Sequence, residues 1–253
     1  MRKACLASIL ALAALILLLG TALAGPEPDA KVPFDQGVAA LTQGDPTLAI
    51  EKFTAAIKID PKMEEAYINR GIAEMRLSLW GDAVGDFDQA LDLNPDSAEA
   101  FYNRGLAYSR QNVFDKALED YTQAAKLAPK DWQIYYNRGN TYLDMKKAPE
   151  ALKDYNRALK LHPQAPGILY NRSLVYLALD QPEPALADVD KVLELDPNYV
   201  RAYYSKGQAL EKLGNKYEAL AAYRQFLKTA NPDADAHLLQ KTLARIKALE
   251  ASK

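Results

Sequence analysis

Residues 98–131 read AEAFYNRGLAYSRQNVFDKALEDYTQAAKLAPKD, and this stretch decides the fold. Numbered from Ala98, it puts Phe101 at position 4, Gly105 at 8 and Tyr108 at 11, then Ala117 at 20, Tyr121 at 24 and Ala124 at 27. Spacings of three, four and seven place each set on one helical face. Gly105 and Ala117 are small where two antiparallel helices would meet, and the rings fill the space around them. Pro129 stops the second helix, because it lacks an amide donor and clashes with a continuing turn. One such helix pair cannot bury its apolar faces alone.

The pattern continues in register on both sides. Prolines recur at 61, 95, 129, 163 and 197, a fixed interval of 34 residues. Self-similarity at such a period specifies an elongated helical array. Tyr67, Gly71, Ala83, Phe87, Ala90 and Pro95 repeat the pattern before the central unit. Tyr135, Gly139, Tyr142, Ala151, Tyr155, Ala158 and Pro163 repeat it after. The first copy is looser, with Gly37, Ala49, Phe53, Ala56 and Pro61. The fifth has Ser173 in place of the glycine and Val189 in place of the aromatic. The sixth has Tyr203, Gly207, Ala219 and Tyr223, with a one-residue slip to Pro232.

This order of aromatic, glycine, tyrosine, alanine, aromatic, alanine and proline resembles the tetratricopeptide repeat. The resemblance implies an all-α, right-handed α-solenoid of about six helix-turn-helix repeats, at 30–63, 64–97, 98–131, 132–165, 166–199 and 200–233. A final amphipathic segment, 234–253, carries Ala236, Leu239, Leu243, Ile246 and Leu249 as a stripe. It reads as a capping helix over repeat six, the alternative being a dimer contact.

Residues 1–24 follow another logic. Arg2 and Lys3 are their only charges, Leu6 to Leu19 is almost unbroken apolar sequence, and Ala22-Leu23-Ala24 supplies small residues before a cleavage point. This is the layout of a secretory signal peptide cut after Ala24, which implies an exported, periplasmic or secreted protein. The alternative is an uncleaved membrane anchor over residues 4–24, long enough to span. Residues 25–33, GPEPDAKVP, read as an extended linker. Cys5 leaves with the signal, so the mature chain has no thiol or disulfide chemistry. Without Arg2 and Lys3 there remain 29 basic and 33 acidic residues, a net charge of −4, and no basic run. Nucleic acid and anionic lipid are therefore poor partners.

No catalytic constellation is visible. His162 and His237 stand about 75 positions apart and make no zinc motif, and the glycines form no phosphate loop. The expectation is a protein with no enzymatic activity, no cofactor and no metal.

Two ladders run through the array. Arg70, Arg104, Arg138 and Arg172 occupy position 7, and Asp86, Asp120, Asp154 and Asp188 occupy position 23 of the same copies. Copies one and six lack both, with Gln36 and Lys52, then Lys206 and Ala222. The matched presence favours structural ion pairs over four cationic ligand sites, because an unpaired buried charge is costly. The second ladder is Asn69, Asn103, Asn137 and Asn171 at position 6, beside Tyr102, Tyr136, Tyr170 and Tyr204 at position 5.

Positions 2, 5, 6, 9, 12 and 13 share the side of the first helix that the core leaves free. In tetratricopeptide proteins that side lines the concave groove. Asparagine carries both donor and acceptor and can pair with an extended backbone, while tyrosine adds apolar area with a polar tip. The ladder resembles the one lining the peptide groove of O-linked N-acetylglucosamine transferase; the bland reading is that such residues are common filler in the family. Chaperone-binding members grip a C-terminal carboxylate with lysine at position 5 and asparagine at 9. Here position 5 is Phe34, Ile68 or tyrosine, and position 9 is asparagine only at Asn140, so that clamp is set aside. The resulting expectation is a non-enzymatic scaffold or adaptor of the cell envelope that binds a protein or peptide in its groove. The alternatives are a self-assembling structural protein and an accessory subunit of a cell-wall or secretion complex. The sequence leaves the oligomeric state open.

Overall fold

The computed structural model describes residues 29–251; the segment read as signal peptide and linker residues 25–28 lie outside them, and the last three residues of the expected extended linker, 31–33, instead form the first turn of a helix, where Pro33 needs no amide partner. Among the described residues there are thirteen α-helices and no strand. They pair as α1 (Lys31–Thr42) with α2 (Pro46–Ile59), α3 (Glu64–Arg76) with α4 (Trp80–Leu93), and α5 (Ala98–Arg110) with α6 (Phe114–Leu127). Then follow α7 (Trp132–Asp144) with α8 (Ala148–Leu161), α9 (Pro166–Ala178) with α10 (Pro182–Leu195), and α11 (Val200–Lys212) with α12 (Lys216–Thr229). The last helix is α13 (Ala236–Ala251). Hairpin stacks on hairpin in an all-α, right-handed solenoid.

The turn inside each hairpin is built one way throughout. Position 15 has positive φ in all six: Gly44, Ser78, Asn112, Lys146, Asp180 and Gly214. The amide of the next residue reaches back to the carbonyl of position 11, as from Leu79 to Glu74 at 2.9 Å and from Val113 to Tyr108 at 2.9 Å. The position 15 amide bonds position 12, as from Lys146 to Leu143 at 2.8 Å. This paired closure satisfies the last carbonyls of the first helix and needs a left-handed residue, the conformation glycine adopts most cheaply. Four hairpins use a residue with a Cβ there. Between hairpins, the proline that follows each second helix prevents its extension.

The glycine at position 8 has a specific reason. A Cβ on Gly71 would lie 2.7 Å from Cε1 of Phe87, and one on Gly207 would lie 2.5 Å from Cδ1 of Tyr223. On Gly105 it would meet the Tyr121 ring at 3.1 Å and the Ala117 carbonyl oxygen at 3.2 Å. The glycine thus makes room chiefly for the ring at position 24, and the approach of helix backbones is secondary. Repeat five shows the same rule from the other side. It has Ser173 and Val189, both fully buried, so the larger residue at position 8 accompanies a smaller one at 24.

Arg70, Arg104, Arg138 and Arg172 pair with Asp86, Asp120, Asp154 and Asp188 at 2.6, 2.7, 2.7 and 2.6 Å, each through both Nε and a terminal nitrogen. The aspartates are buried, and each guanidinium also lies over an aromatic ring of its own helix, as Arg138 does over Tyr135. The third nitrogen reaches back to the preceding hairpin: Arg70 to Thr54, Arg104 to Asp88, Arg138 to Thr122 and Arg172 to Asn156. In repeat six Lys206 takes over this backward link, 2.7 Å from Asp190.

The first helices of adjacent hairpins touch one another, α1 with α3 through α9 with α11, whereas second helices make no comparable contact. The first helices therefore line the inner side of the arc and the second helices splay on the outer side. At the end, Ile246 and Leu249 of α13 pack against Leu210 and Tyr223 of repeat six. Arg245 pairs with Glu211, Arg224 with Glu250 and Arg201 with Asp235. The stripe read from the sequence is rotated in the structure. Thr242 is the buried centre, while Leu243 is 56% exposed and Ala236 is exposed. Thr242 turns inward because its hydroxyl returns to the Leu238 carbonyl at 2.7 Å, which lets a polar residue sit at the contact.

Candidate functional site

The inner side carries a row of hollows between successive first helices. One of about 420 Å³ is lined by Ile72, Glu99, Tyr102, Asn103, Gln133 and Ile134, among others. A second, about 350 Å³, lies between the same two helices, toward the C-terminal ends of α5 and α7. A third, about 400 Å³, is lined by Tyr204, Gln208, Glu211, Lys212, Tyr223 and Arg245, where α13 closes the row. Their walls come mainly from positions 2, 5, 6, 9, 12 and 13.

The ladder asparagines sit on this side, but their amide hydrogens are largely committed. Asn69 donates to the Glu65 carbonyl at 2.8 Å and Asn103 to the Glu99 carbonyl at 3.0 Å. Asn137 donates to the Gln133 carbonyl at 3.0 Å and to the Tyr102 hydroxyl at 2.8 Å. Asn171 donates to the Tyr136 hydroxyl at 3.3 Å and to Oδ1 of Asn140 at 2.9 Å. The tyrosine of one repeat and the asparagine of the next are thus bonded across the repeat boundary. No hydrogen bond among the described residues ends on the Oδ1 of Asn69, Asn103, Asn137 or Asn171. The ladder therefore presents a row of acceptors, suited to backbone N–H groups. Asn69 and Asn103 keep one N–H beside the acceptor, as the sequence leads one to expect, whereas Asn137 and Asn171 have both amide hydrogens committed.

The tyrosines are half-buried and lean on other rings. Tyr102 lies 6.1 Å from Tyr121, Tyr136 lies 6.2 Å from Tyr155, Tyr170 lies 4.9 Å from Tyr199, and Tyr204 lies 5.9 Å from Tyr223. Burial pushes the hydroxyls of Tyr102, Tyr170 and Tyr204 up in pKa, so they stay protonated at neutral pH. Each ring is partly a wall of the groove and partly a wedge between hairpins.

Asn140 belongs to the site as well. Its Oδ1 accepts from the Tyr155 hydroxyl at 2.7 Å and from Asn171. The sequence signal was its solitary asparagine at position 9, which counted only against a carboxylate clamp. The stack of Trp132 on His162, 4.9 Å between centroids and 16° from parallel, was also missed, because the two residues lie on either side of a hairpin and carry no shared period. No group of three metal-binding side chains occurs among the described residues, and none of their helices is long and apolar enough to cross a membrane.

Tetratricopeptide-repeat profiles match residues 132–164 in one form and residues 11–64, 68–131 and 170–235 in another. The chain belongs to the tetratricopeptide repeat family, whose members are interaction scaffolds for protein and peptide partners. No curated protein matches the chain. Among solved structures, PilF of Pseudomonas aeruginosa superposes with a TM-score of 0.73 at 17% identity, over 84% of this chain and 96% of that one. PilW, a type IV pilus biogenesis factor, gives 0.72 at 20% identity, over 83% and 98%. YrrB, a TPR protein with an unusual peptide-binding site, gives 0.66 at 23% identity, over 76% and 99%. At these identities the likeness shows the fold.

Proposed function

We propose that the inner groove of repeats two to five holds an extended polypeptide segment and that the protein serves as an adaptor of the cell envelope. The observation that carries the groove reading is the row of uncommitted asparagine oxygens beside the hollows, repeated at the interval of the hairpins. An extended chain offers backbone N–H groups along its length, and such a row can accept them without demanding a particular side chain. The envelope setting is supported by the charged, apolar and small-residue order of residues 1–24, and by a type IV pilus biogenesis factor, PilW, among the structural neighbours.

A photo-reactive amino acid placed at Leu106 in the groove should trap a partner segment, and one placed at Lys126 on the outer side should not. Asn103→Ala is the cleanest test of the ladder, since its amide bonds only its own helix. Loss of one net hydrogen bond should weaken the trapped segment's binding about fivefold to tenfold. Trapping from Lys126 alone, with unchanged affinity in Asn103→Ala, would instead favour assembly through the outer face.

A further inference from the structure

We propose that the hollow between repeats three and four is a subsite for a primary-amide side chain, glutamine or asparagine, of the bound segment; this rests on the groove reading above. The chain itself shows what is missing there. Tyr121 is fully buried, and its hydroxyl makes no hydrogen bond of normal geometry: the Thr141 hydroxyl stands beside it but donates to the Asn137 carbonyl. The tyrosine at the same position of repeat four, Tyr155, donates to Oδ1 of Asn140 at 2.7 Å, and that of repeat six, Tyr223, donates to Oε2 of Glu211 at 2.9 Å. Repeats one and two place Phe53 and Phe87 there and need no acceptor. The array therefore supplies an oxygen or dispenses with the hydroxyl everywhere except at Tyr121. A buried hydroxyl without a partner is costly, so a ligand oxygen that completes it is favoured.

The space is in the right place. Repeat three has Leu106 where repeat four has Asn140, and the 350 Å³ hollow opens at that point, lined by Leu106, Ser109, Arg110, Tyr121, Asn137 and Asp144 among others. Ser109 and Thr141 are committed to each other at 3.1 Å, and Thr141 donates to the Asn137 carbonyl at 3.0 Å. Burial raises the pKa of the Tyr121 hydroxyl, which keeps it a donor. Arg110 and Asp144, both exposed, stand on the lining with opposite charges. A carboxylate would gain from Arg110 and lose to Asp144. A primary amide satisfies all three, its oxygen facing Tyr121 and Arg110 and its N–H groups facing Asp144.

The test uses the whole protein, purified in mild detergent and panned against phage-displayed random dodecapeptides. Selected peptides should carry glutamine or asparagine at one fixed position. Replacing that residue by leucine should weaken binding about fivefold to tenfold, the worth of one net hydrogen bond. In Tyr121→Phe, which copies repeats one and two, and in Leu106→Asn, which supplies the partner Tyr155 has, the discrimination should fall below twofold. Peptides that bind, and weaken with Asn103→Ala, yet show no amide preference or prefer glutamate, overturn the subsite and leave the groove reading standing. Selected peptides indifferent to Asn103→Ala, or a library without binders, overturn both.

Discussion

Replacing Gly71 by alanine tests why the hairpins pack as they do. The new Cβ would sit 2.7 Å from Cε1 and 2.8 Å from Cζ of Phe87, a fully buried ring with no space to retreat. Overpacking of this severity costs about 2–3 kcal/mol, while exchanging a helical glycine for alanine returns about 1 kcal/mol. The net expectation is a loss of about 1–2 kcal/mol, a fall in Tm of roughly 2–8 °C for a chain of this size. Phe87→Val alone should cost about 2–3 kcal/mol through the lost ring.

With valine in place, however, the collision is gone and only the helix preference remains. Gly71→Ala should then stabilise by up to about 1 kcal/mol. The sign of one substitution should reverse with the identity of the other, as repeat five already implies by holding Ser173 opposite Val189. Guanidinium denaturation followed by circular dichroism measures the four proteins of the cycle, and hydrogen exchange in α3 and α4 locates the change. Effects additive within about 0.5 kcal/mol would refute the reasoning.

Arg138→Ala and Asp154→Ala should each cost about 3–5 kcal/mol, and the double variant well under their sum, since each single change strands a half-buried charge; denaturation of the three variants checks it. Glu74 is buried beside the Asp86–Arg70 pair with Oε2 unpartnered, and burial, reinforced by Asp86, raises its pKa to about 7. A carboxyl whose folded pKa is raised keeps its proton longer folded than unfolded, so stability falls as pH rises from about 4.5 to 7. Glu74→Gln should therefore be near neutral at pH 5 and stabilising by roughly 1–3 kcal/mol at pH 8, and an equal effect at both pH values would contradict it. Lys146→Gly, at a left-handed turn residue, should stabilise by about 1 kcal/mol, more than Asn112→Gly, because asparagine tolerates that conformation better; thermal melts of both variants decide it.

The fold was legible because its determinants are periodic and local. Proline every 34 residues, a small residue at position 8 and an aromatic at 24 each constrain one hairpin without reference to the next. The ion pairs were legible for a similar reason, since Arg and Asp sit on one hairpin and vanish together. What lies between hairpins was not. The Asn137–Tyr102 bond joins residues 35 apart, and its geometry depends on how one hairpin is rotated against the last. The left-handed turn escaped notice because Ser78, Asn112, Lys146 and Asp180 hide a position that glycine would have announced. In α13 the apolar stripe pointed to Leu243, but the angle of docking buried Thr242 instead. The face of the groove could be derived from the sequence; which atoms on it remain uncommitted could not.

The backward links of the arginines have a consequence for how the array comes apart. Each central arginine holds the aspartate of its own hairpin and a residue of the hairpin before it, so losing one hairpin removes support from the next. In a linear lattice of units, such nearest-neighbour coupling sets the cooperative length, and units lacking it are the first to melt. Repeats one and six lack the bidentate Arg–Asp pair itself, although Arg70 still reaches Thr54 of repeat one and Lys206 and Lys212 reach Asp190 and Asp180 of repeat five. The four middle hairpins thus each hold one tie within the hairpin that the end hairpins do without. Hydrogen exchange should therefore be slower in repeats two to five than in repeats one and six, so that the most protected part of the array is the part that carries the groove.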